Sequence, residues 1–375
     1  MTTQDISIKC KLCDHVDESG QLIDHLKEAH TDIVPKDYII EHGKDAIIHP
    51  IVFAKIEANK AKKAKGTKSK AKKPVSGFEF KNVTLPKARE VSEEFQKFIP
   101  SIDENYQFQD FTECVILDLI ADNNIALTGH TGSGKTSLVE QLAARVGQPT
   151  IRVNTNQQTT TYDFMGYNTA VNGSVEWVDG ALPFCMKNGF WLVIDEGDYA
   201  EPSILSALNA VLEEGRTLML KEKGNETIKA HEDFRIIFTG NTLGQMSVYR
   251  GLYQGTRLMN EAFMNRFNSC YIVDYLDAES ELKMLLGRYP TFHQAVAKRM
   301  VAVANAMRES FKNETIDSTF SPRLLMSWTQ RIMELSDRGE KAVMDAAKHT
   351  IESKLSAEDA EAFRGMCQRH RLVSN

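Results

Sequence analysis

The stretch "NIALTGHTGSGKTSLVEQLAARVG", residues 124–147, decides the fold. Its first six residues are a short apolar run bounded by turn residues, as a buried strand requires. Its second half, "KTSLVEQLAARVG", carries apolar residues at helical spacing and stops at Gly147. Between them, residues 129–137 fit G-x-x-x-x-G-K-[ST] in the strand–loop–helix context that gives the motif meaning. The backbone of Gly129, His130, Thr131, Gly132, Ser133 and Gly134 can close round phosphate groups, and the helix N-terminus adds partial positive charge. His130 and Thr131 are expected to act through backbone alone. Lys135 is expected to reach the β- and γ-phosphates of a nucleoside triphosphate. Thr136, with Ser137 beside it, would supply an oxygen to Mg²⁺.

The same pattern runs on through "TIRVN" (150–154), "FWLVIDE" (190–196), "FRIIFTG" (234–240) and "SCYIVDY" (269–275). Each is short and nearly continuous in apolar residues, as expected of buried parallel strands. The fold class expected is α/β: a P-loop core with a five-stranded parallel sheet, flanking helices and β-hairpin insertions. After Asp274 only helical spacing remains, in "DAESELKMLLGRY", "SPRLLMSWTQRIMELSDRG" and the segments around them. The expected organisation is a small unit over 1–50, a linker over 51–82, the α/β core over 83–275 and a helical lid over 276–375. There are no internal repeats.

"FWLVIDEGD" brings Asp195 and Glu196 to the carboxyl end of a buried strand, where ligands bind in open α/β sheets. Asp195 would hold Mg²⁺, and Glu196 would polarise an attacking water as general base. "FRIIFTGNT" places Asn241 just past the neighbouring strand, where a neutral amide can orient water. Arg266 in "NEAFMNRF" precedes the last strand, and its plain reading is a helix-terminal Arg satisfying carbonyls. Arg323 sits in the first turn of a lid helix. A cation there opposes the helix dipole, which is easier to understand if it meets an anion.

The composition is that of a soluble globular chain, with 42% hydrophobic and 26% charged residues. No apolar run approaches the roughly 18–20 residues that span a bilayer. The N-terminus is polar, so no membrane association and a cytoplasmic location are expected. Cys114, Cys185, Cys270 and Cys367 are scattered among apolar residues, which predicts buried thiols. The net charge of −6 hides an asymmetry: from Lys55 to Lys73 nine Lys face one acid, Glu57, leaving −14 on the rest. That segment predicts a disordered linker.

Taken together, Lys135, Asp195, Glu196, Asn241, Arg266 and Arg323 in this order resemble an AAA+ ATPase. The match is closest to the MoxR-like branch, and within it to CobS-like proteins, named after the ATPase subunit of cobaltochelatase. "IPSIDENYQF" (99–108), "IRVNTNQQTTTYDFMG" (151–166), "DGALPFCMKNGFWLVIDEGDYAEPSIL" (179–205) and "GLYQGTRLMNEAFMNRFN" (251–268) carry that narrower likeness. The resemblance implies that Arg323 acts on nucleotide of its own subunit and Arg266 on that of a neighbour, in a homo-oligomeric ring, most simply a hexamer. It implies ATP and Mg²⁺ as ligands and a partner carrying a von Willebrand factor A domain. It also implies two insertions, "GYNTAVNGSVEWVDGAL" and a hairpin turning at Gly224-Asn225. Asn265-Arg266 stands where related ATPases often have Asp-Arg, and Gly197 is expected to loosen the end of its strand. The favoured function is remodelling of a partner protein. Alternatives are the ATPase subunit of a metal chelatase, a nucleic-acid-associated ATPase tethered through an N-terminal zinc finger and the Lys-rich arm, and an ATP-binding scaffold that does not turn over.

"CKLCDHVDESGQLIDHLKEAH" (10–30) is a separate feature. Cys10, Cys13, His25 and His30 have the spacing C-x₂-C-x₁₁-H-x₄-H, one residue short of the usual finger interval. So small a unit hardly folds without metal, and structural Zn²⁺ is expected. The segment is acidic, with Asp14, Asp17, Glu18, Asp24 and Glu28. That argues against direct base reading and for a zinc-stapled adaptor that chooses a partner.

Overall fold

The computed structural model describes residues 8–10, 12–13, 16–17, 77–156, 158–171, 173–242, 256 and 259–373. Residues 1–75 and 76–375 form two units. In the first, β1 (Ile8–Lys9) pairs antiparallel with β2 (Val16–Asp17), which puts Cys10 and Cys13 in the connection. Cys10 is buried, and its Sγ accepts the backbone N–H of Leu12 at 3.5 Å. His25, His30 and residues 51–76 of the expected linker lie outside the described residues. Among the described residues, no three His, Cys, Asp or Glu side chains are grouped to hold a metal ion.

The second unit starts inside the span read as linker. β3 (Gly77–Phe80) pairs antiparallel with β4 (Val83–Pro86). Alternation puts Phe78 and Phe80 on one face, where they meet Phe108 at centroid distances of 5.1 and 5.7 Å. The Arg145 guanidinium lies 5.5 Å from the Phe78 ring. Two aromatic residues at period 2 outweigh the lysine-rich composition just before them.

α1 (Thr112–Ile120) leads into β5 (Ile125–Thr128), followed by α2 (Lys135–Val146) and β6 (Thr150–Asn154). α3 (Thr161–Met165) opens a hairpin of β7 (Gly166–Val171) and β8 (Ser174–Asp179). Next come α4 (Ala181–Asn188), β9 (Trp191–Asp195), α5 (Pro202–Ser206) and α6 (Asn209–Leu212). A second hairpin, β10 (Thr217–Leu220) with β11 (Glu226–Lys229), turns through Gly224-Asn225 as expected. β12 (Arg235–Gly240), α7 (Glu261–Met264) and β13 (Ser269–Ile272) complete the core.

The sheet is five-stranded and parallel in the order β13-β5-β12-β9-β6. Alternate residues feed opposite faces. Leu192, Ile194, Ile236 and Phe238 pack on one side; Ile125, Leu127, Val193 and Ile237 pack on the other, against α1 and α2. Cys185 and Cys367 are buried as expected, but Cys114 and Cys270 are exposed. Cys114 lies on the outer face of α1, and Cys270 on edge strand β13.

The C-terminal helices are α8 (Ala278–Arg288), α9 (Gln294–Lys312), α10 (Pro322–Glu334), α11 (Lys341–Thr350) and α12 (Ala357–Arg369). Trp328, Phe320 and Phe363 centre their core. Within it Arg308 pairs with Glu281 through two bonds of 2.6 and 2.7 Å and donates to Phe320 O at 2.7 Å. Among the described residues, no helix is long and apolar enough to cross a membrane. Removing one partner leaves an uncompensated buried charge, at a cost of about 3–5 kcal/mol. Arg308→Ala is therefore expected to lose about that much stability in denaturant unfolding; an unchanged midpoint would refute the role given to this pair.

Candidate active site

A cleft of about 620 Å³ opens at the carboxyl ends of the central strands, lined by Lys135, Thr136, Asp195, Glu196, Asn241 and Arg323. β5 lies between β13 and β12, so the chain reverses direction across the sheet at this point, where open α/β sheets form their crevice. The loop after β5 supplies one wall. Gly134 takes φ 98° as it caps α2. Gly132, at φ 77°, lies so close to the lid that an added Cβ would stand 2.5 Å from Ser321 Cβ. Ser321 is the N-cap of α10, its hydroxyl accepting the Leu324 N–H, and Arg323 follows in the first turn. Loop and lid helix thus meet through a residue that must lack a side chain.

Lys135 Nζ donates to Gly129 O at 2.7 Å, His130 O at 3.0 Å and Asn241 Oδ1 at 3.0 Å. Burial pulls its pKa down to about 8, against the opposing pull of Asp198, Asp195 and Glu196. Asp195 is buried and fully engaged. Its Oδ1 accepts the Thr136 hydroxyl at 2.7 Å and the Thr239 hydroxyl, and its Oδ2 accepts Arg152 Nε at 2.7 Å. Burial works against its charge, but the hydroxyls and the guanidinium hold it below the usual carboxylate range. Glu196 is exposed toward solvent. Burial of its carboxyl, with the nearby charges of Asp195 and Asp198, raises its pKa. Its backbone sits at φ 55°, a left-handed conformation costing a non-glycine residue on the order of 1 kcal/mol. Thr136 Oγ1 and the Asp195 oxygens are adjacent hard donors of the kind Mg²⁺ selects, so the residues present fit that ion.

Three features were not read from the sequence. Arg152 on β6 is one; its only signal was a cation inside a strand of buried type. Asp198 is the second. Its Oδ2 accepts the backbone N–H of Asn241 at 2.8 Å and of Thr242 at 2.9 Å, and it fixes the loop that carries Asn241. Third, the His130 ring does more than its backbone: it stacks on Tyr275 and meets Phe311 edge-on. Tyr275 Oη in turn donates to Thr131 O at 2.9 Å. Gly197 does not loosen the strand end. An added Cβ there would lie 2.1 Å from the Phe238 ring, so the glycine allows close packing. Arg266 is apart from the cleft lining, paired with Glu213 at 2.8 Å and donating to Ala262 O.

Asp198 is 1% exposed. Asp198→Ala leaves two backbone N–H groups without their acceptor and is expected to cost about 2–4 kcal/mol in denaturant unfolding. Asp198→Asn, which keeps one acceptor oxygen, is expected to cost less; equal losses would contradict this account.

Comparison with known proteins agrees with this geometry. The AAA domain (dynein-related subfamily) matches residues 124–267, and the CbbQ/NirQ/NorQ C-terminal region matches residues 283–369. The chain is 30% identical to "Aerobic cobaltochelatase subunit CobS" of Sinorhizobium sp over 242 residues, covering 62% of this chain and 72% of that one. It is 31% identical to the uncharacterized protein YojN of Bacillus subtilis over 58% of this chain and 70% of that one. Midasin of Dictyostelium discoideum is 32% identical over 49% of this chain, which is 3% of that protein. The matched spans cover four of the five strands, β5, β6, β9 and β12, and most of the helical lid, and with them Lys135, Thr136, Asp195, Glu196, Asn241 and Arg323 of the cleft. The chain belongs to the AAA+ ATPases of the CobS/MoxR type, enzymes that hydrolyse ATP.

Proposed function

We propose that the chain works as a homo-oligomeric ring, hexameric in its simplest form, that couples ATP hydrolysis to the remodelling of a partner protein. The carrying observation is that Lys135, Thr136, Asp195, Glu196, Asn241 and Arg323 line one cleft while Arg266 stands outside it. In this reading the 129–137 loop and Lys135 hold the β- and γ-phosphates. Thr136 and Asp195 hold Mg²⁺, which supplies charge neutralisation of the triphosphate when bound. Asn241 orients the water, and Glu196 takes its proton, a task suited by a carboxyl whose pKa is raised. Arg323 meets the phosphates from the lid. Arg266, whose pairing with Glu213 is partly solvent-exposed and therefore weak, is free to exchange that partner for a neighbour's γ-phosphate.

The remodelled partner would carry a von Willebrand factor A domain. A second reading, the ATPase subunit of a metal chelatase, is supported by the similarity to CobS. Domain limits of 83–275 for the core and 276–375 for the lid belong to the same proposal, the hairpin at 77–86 extending the core. We also propose structural Zn²⁺ on Cys10, Cys13, His25 and His30, supported by the paired strands that bracket the two Cys.

Lys135→Ala is expected to abolish binding of a fluorescent ATP analogue. Glu196→Gln should keep binding but lose roughly 10²–10⁴ in turnover. Arg266→Ala should lose about 10³ or more in turnover while its nucleotide affinity stays near wild type. Doping Arg266→Ala into Glu196→Gln rings should restore part of the turnover, because an intact Glu196 then faces an intact Arg266 across some interfaces. No recovery would exclude a shared site. For the N-terminal unit, atomic emission should find one zinc per chain, lost in Cys10→Ser; a zinc-free wild-type chain would refute the finger.

A further inference from the structure

We propose that Arg152 and a divalent cation compete for Asp195, so that the guanidinium holds metal off the site until nucleotide arrives. This inference rests on the nucleotide reading of the cleft. Arg152 lies on edge strand β6, opposite Val193 and two register positions before the Asn154–Asp195 pair. From there its side chain runs along the sheet to the end of β9. Nε and Nη2 both bond Asp195 Oδ2. The Thr136 and Thr239 hydroxyls take Oδ1. Oδ2 is thus the edge left for a cation, and the guanidinium is already on it.

Charge balance gives the contact its consequence. Glu140, Asp195, Glu196 and Asp198 act on Lys135 and Arg152, while Asp103, Arg288 and Arg323 also line the cleft. Without Arg152 the surroundings of Asp195 Oδ2 become more negative, and that carboxylate with Thr136 Oγ1 is left open to a hard divalent ion. With Arg152 in place, a metal ion at Oδ2 must meet a fixed positive charge within a few ångströms. The Arg152 side chain is 48% exposed, so its head has room to move. A metal ion that arrives already bound to a triphosphate carries less net positive charge, so it can take Oδ2 as the guanidinium swings aside. Metal entry and nucleotide entry are thereby linked through a residue that need not touch the reacting atoms.

The test uses the full chain and Mn²⁺ alone, with free Mn²⁺ read by electron paramagnetic resonance in the absence of nucleotide. Arg152→Gln is expected to bind Mn²⁺ roughly tenfold more tightly than wild type. Arg152→Lys, which keeps the charge, should stay within about threefold of wild type. Binding of a fluorescent ATP analogue in EDTA should change by less than about threefold in Arg152→Gln. Arg152→Met, which keeps the stem's packing, replaces the Gln variant if that one does not fold. Equal Mn²⁺ affinity in wild type and Arg152→Gln would overturn the proposal. So would a Lys variant that binds Mn²⁺ as tightly as the Gln variant, or a tenfold loss of metal-free nucleotide affinity, which would make Arg152 a phosphate ligand. A wild-type chain that binds no nucleotide at all would instead sink the reading of the cleft.

Discussion

The arrangement of the cleft depends on one buried carboxylate. Asp195 is 3% exposed, and a charge so placed is tolerated only with donors on every side. Those donors come from three elements: Thr136 from α2, Thr239 from β12 and Arg152 from β6. Each bond that keeps Asp195 ionised also fixes the distance between two parts of the site. Asp198, three residues on, does the same for the loop after β12 by accepting its backbone N–H groups. Gly197 between them is held against the Phe238 ring, and Glu196 is pushed into a left-handed conformation. The strain at Glu196 is small beside the bonds on either side that impose it.

A second chain of contacts joins the phosphate loop to the lid. The Tyr275 hydroxyl donates to Thr131 O and meets Thr319 Oγ1 at 2.9 Å, while its ring lies against His130 and 4.3 Å from the Arg308 guanidinium. Arg308 is held by Glu281 and by Phe320 O, one residue before the Ser321 cap of α10. The magnitudes rank these links. The buried ion pair is worth several kcal/mol to the lid if broken. A neutral hydrogen bond such as Tyr275–Thr131 contributes about 1 kcal/mol. The lid is therefore rigid where Arg323 is mounted and softly joined where it meets the loop. Any ligand that contacts both sides acts on the soft joint first.

The sequence revealed what depends on local pattern. The strand–loop–helix of 124–147, the strand-end acids Asp195 and Glu196 and the hairpin turn at Gly224-Asn225 each carry their signal within a few residues. What it hid depends on distant partners. Arg152 in "TIRVN" reads as an ordinary polar residue until β6 is known to lie beside β9. Asp198 reads as a turn acid until β12 delivers Asn241 to it. Arg308 and Glu281 both follow helical patterns that give no hint of mutual burial. The hairpin at 77–86 was missed for another reason: the lysine run just before it dominated the composition, while two phenylalanines at period 2 decided the structure. The exposure of Cys270 follows from sheet order, since β13 is an edge, and that of Cys114 from the face of α1 it occupies; neither strand order nor helix packing is a local property.

The two inserted hairpins are tied by a network with no sequence signal. Asp179, at the end of β8, accepts Trp177 Nε1 at 2.8 Å and Lys187 at 2.7 Å, and it lies 3.4 Å from Lys223. Glu226 on β11 pairs with the same two lysines at 3.1 and 2.9 Å. Taken singly, such half-exposed pairs contribute less than about 1 kcal/mol. Because both lysines are shared by both acids, one hairpin cannot shift without breaking bonds of the other. Beside this root Tyr167 and Val178 stand opposite each other, both exposed, on one face of β7–β8, and farther out Val175 is 75% exposed on the other. The charged root fixes the hairpin to α4 beside the sheet through Lys187, while these apolar side chains of the hairpin face solvent.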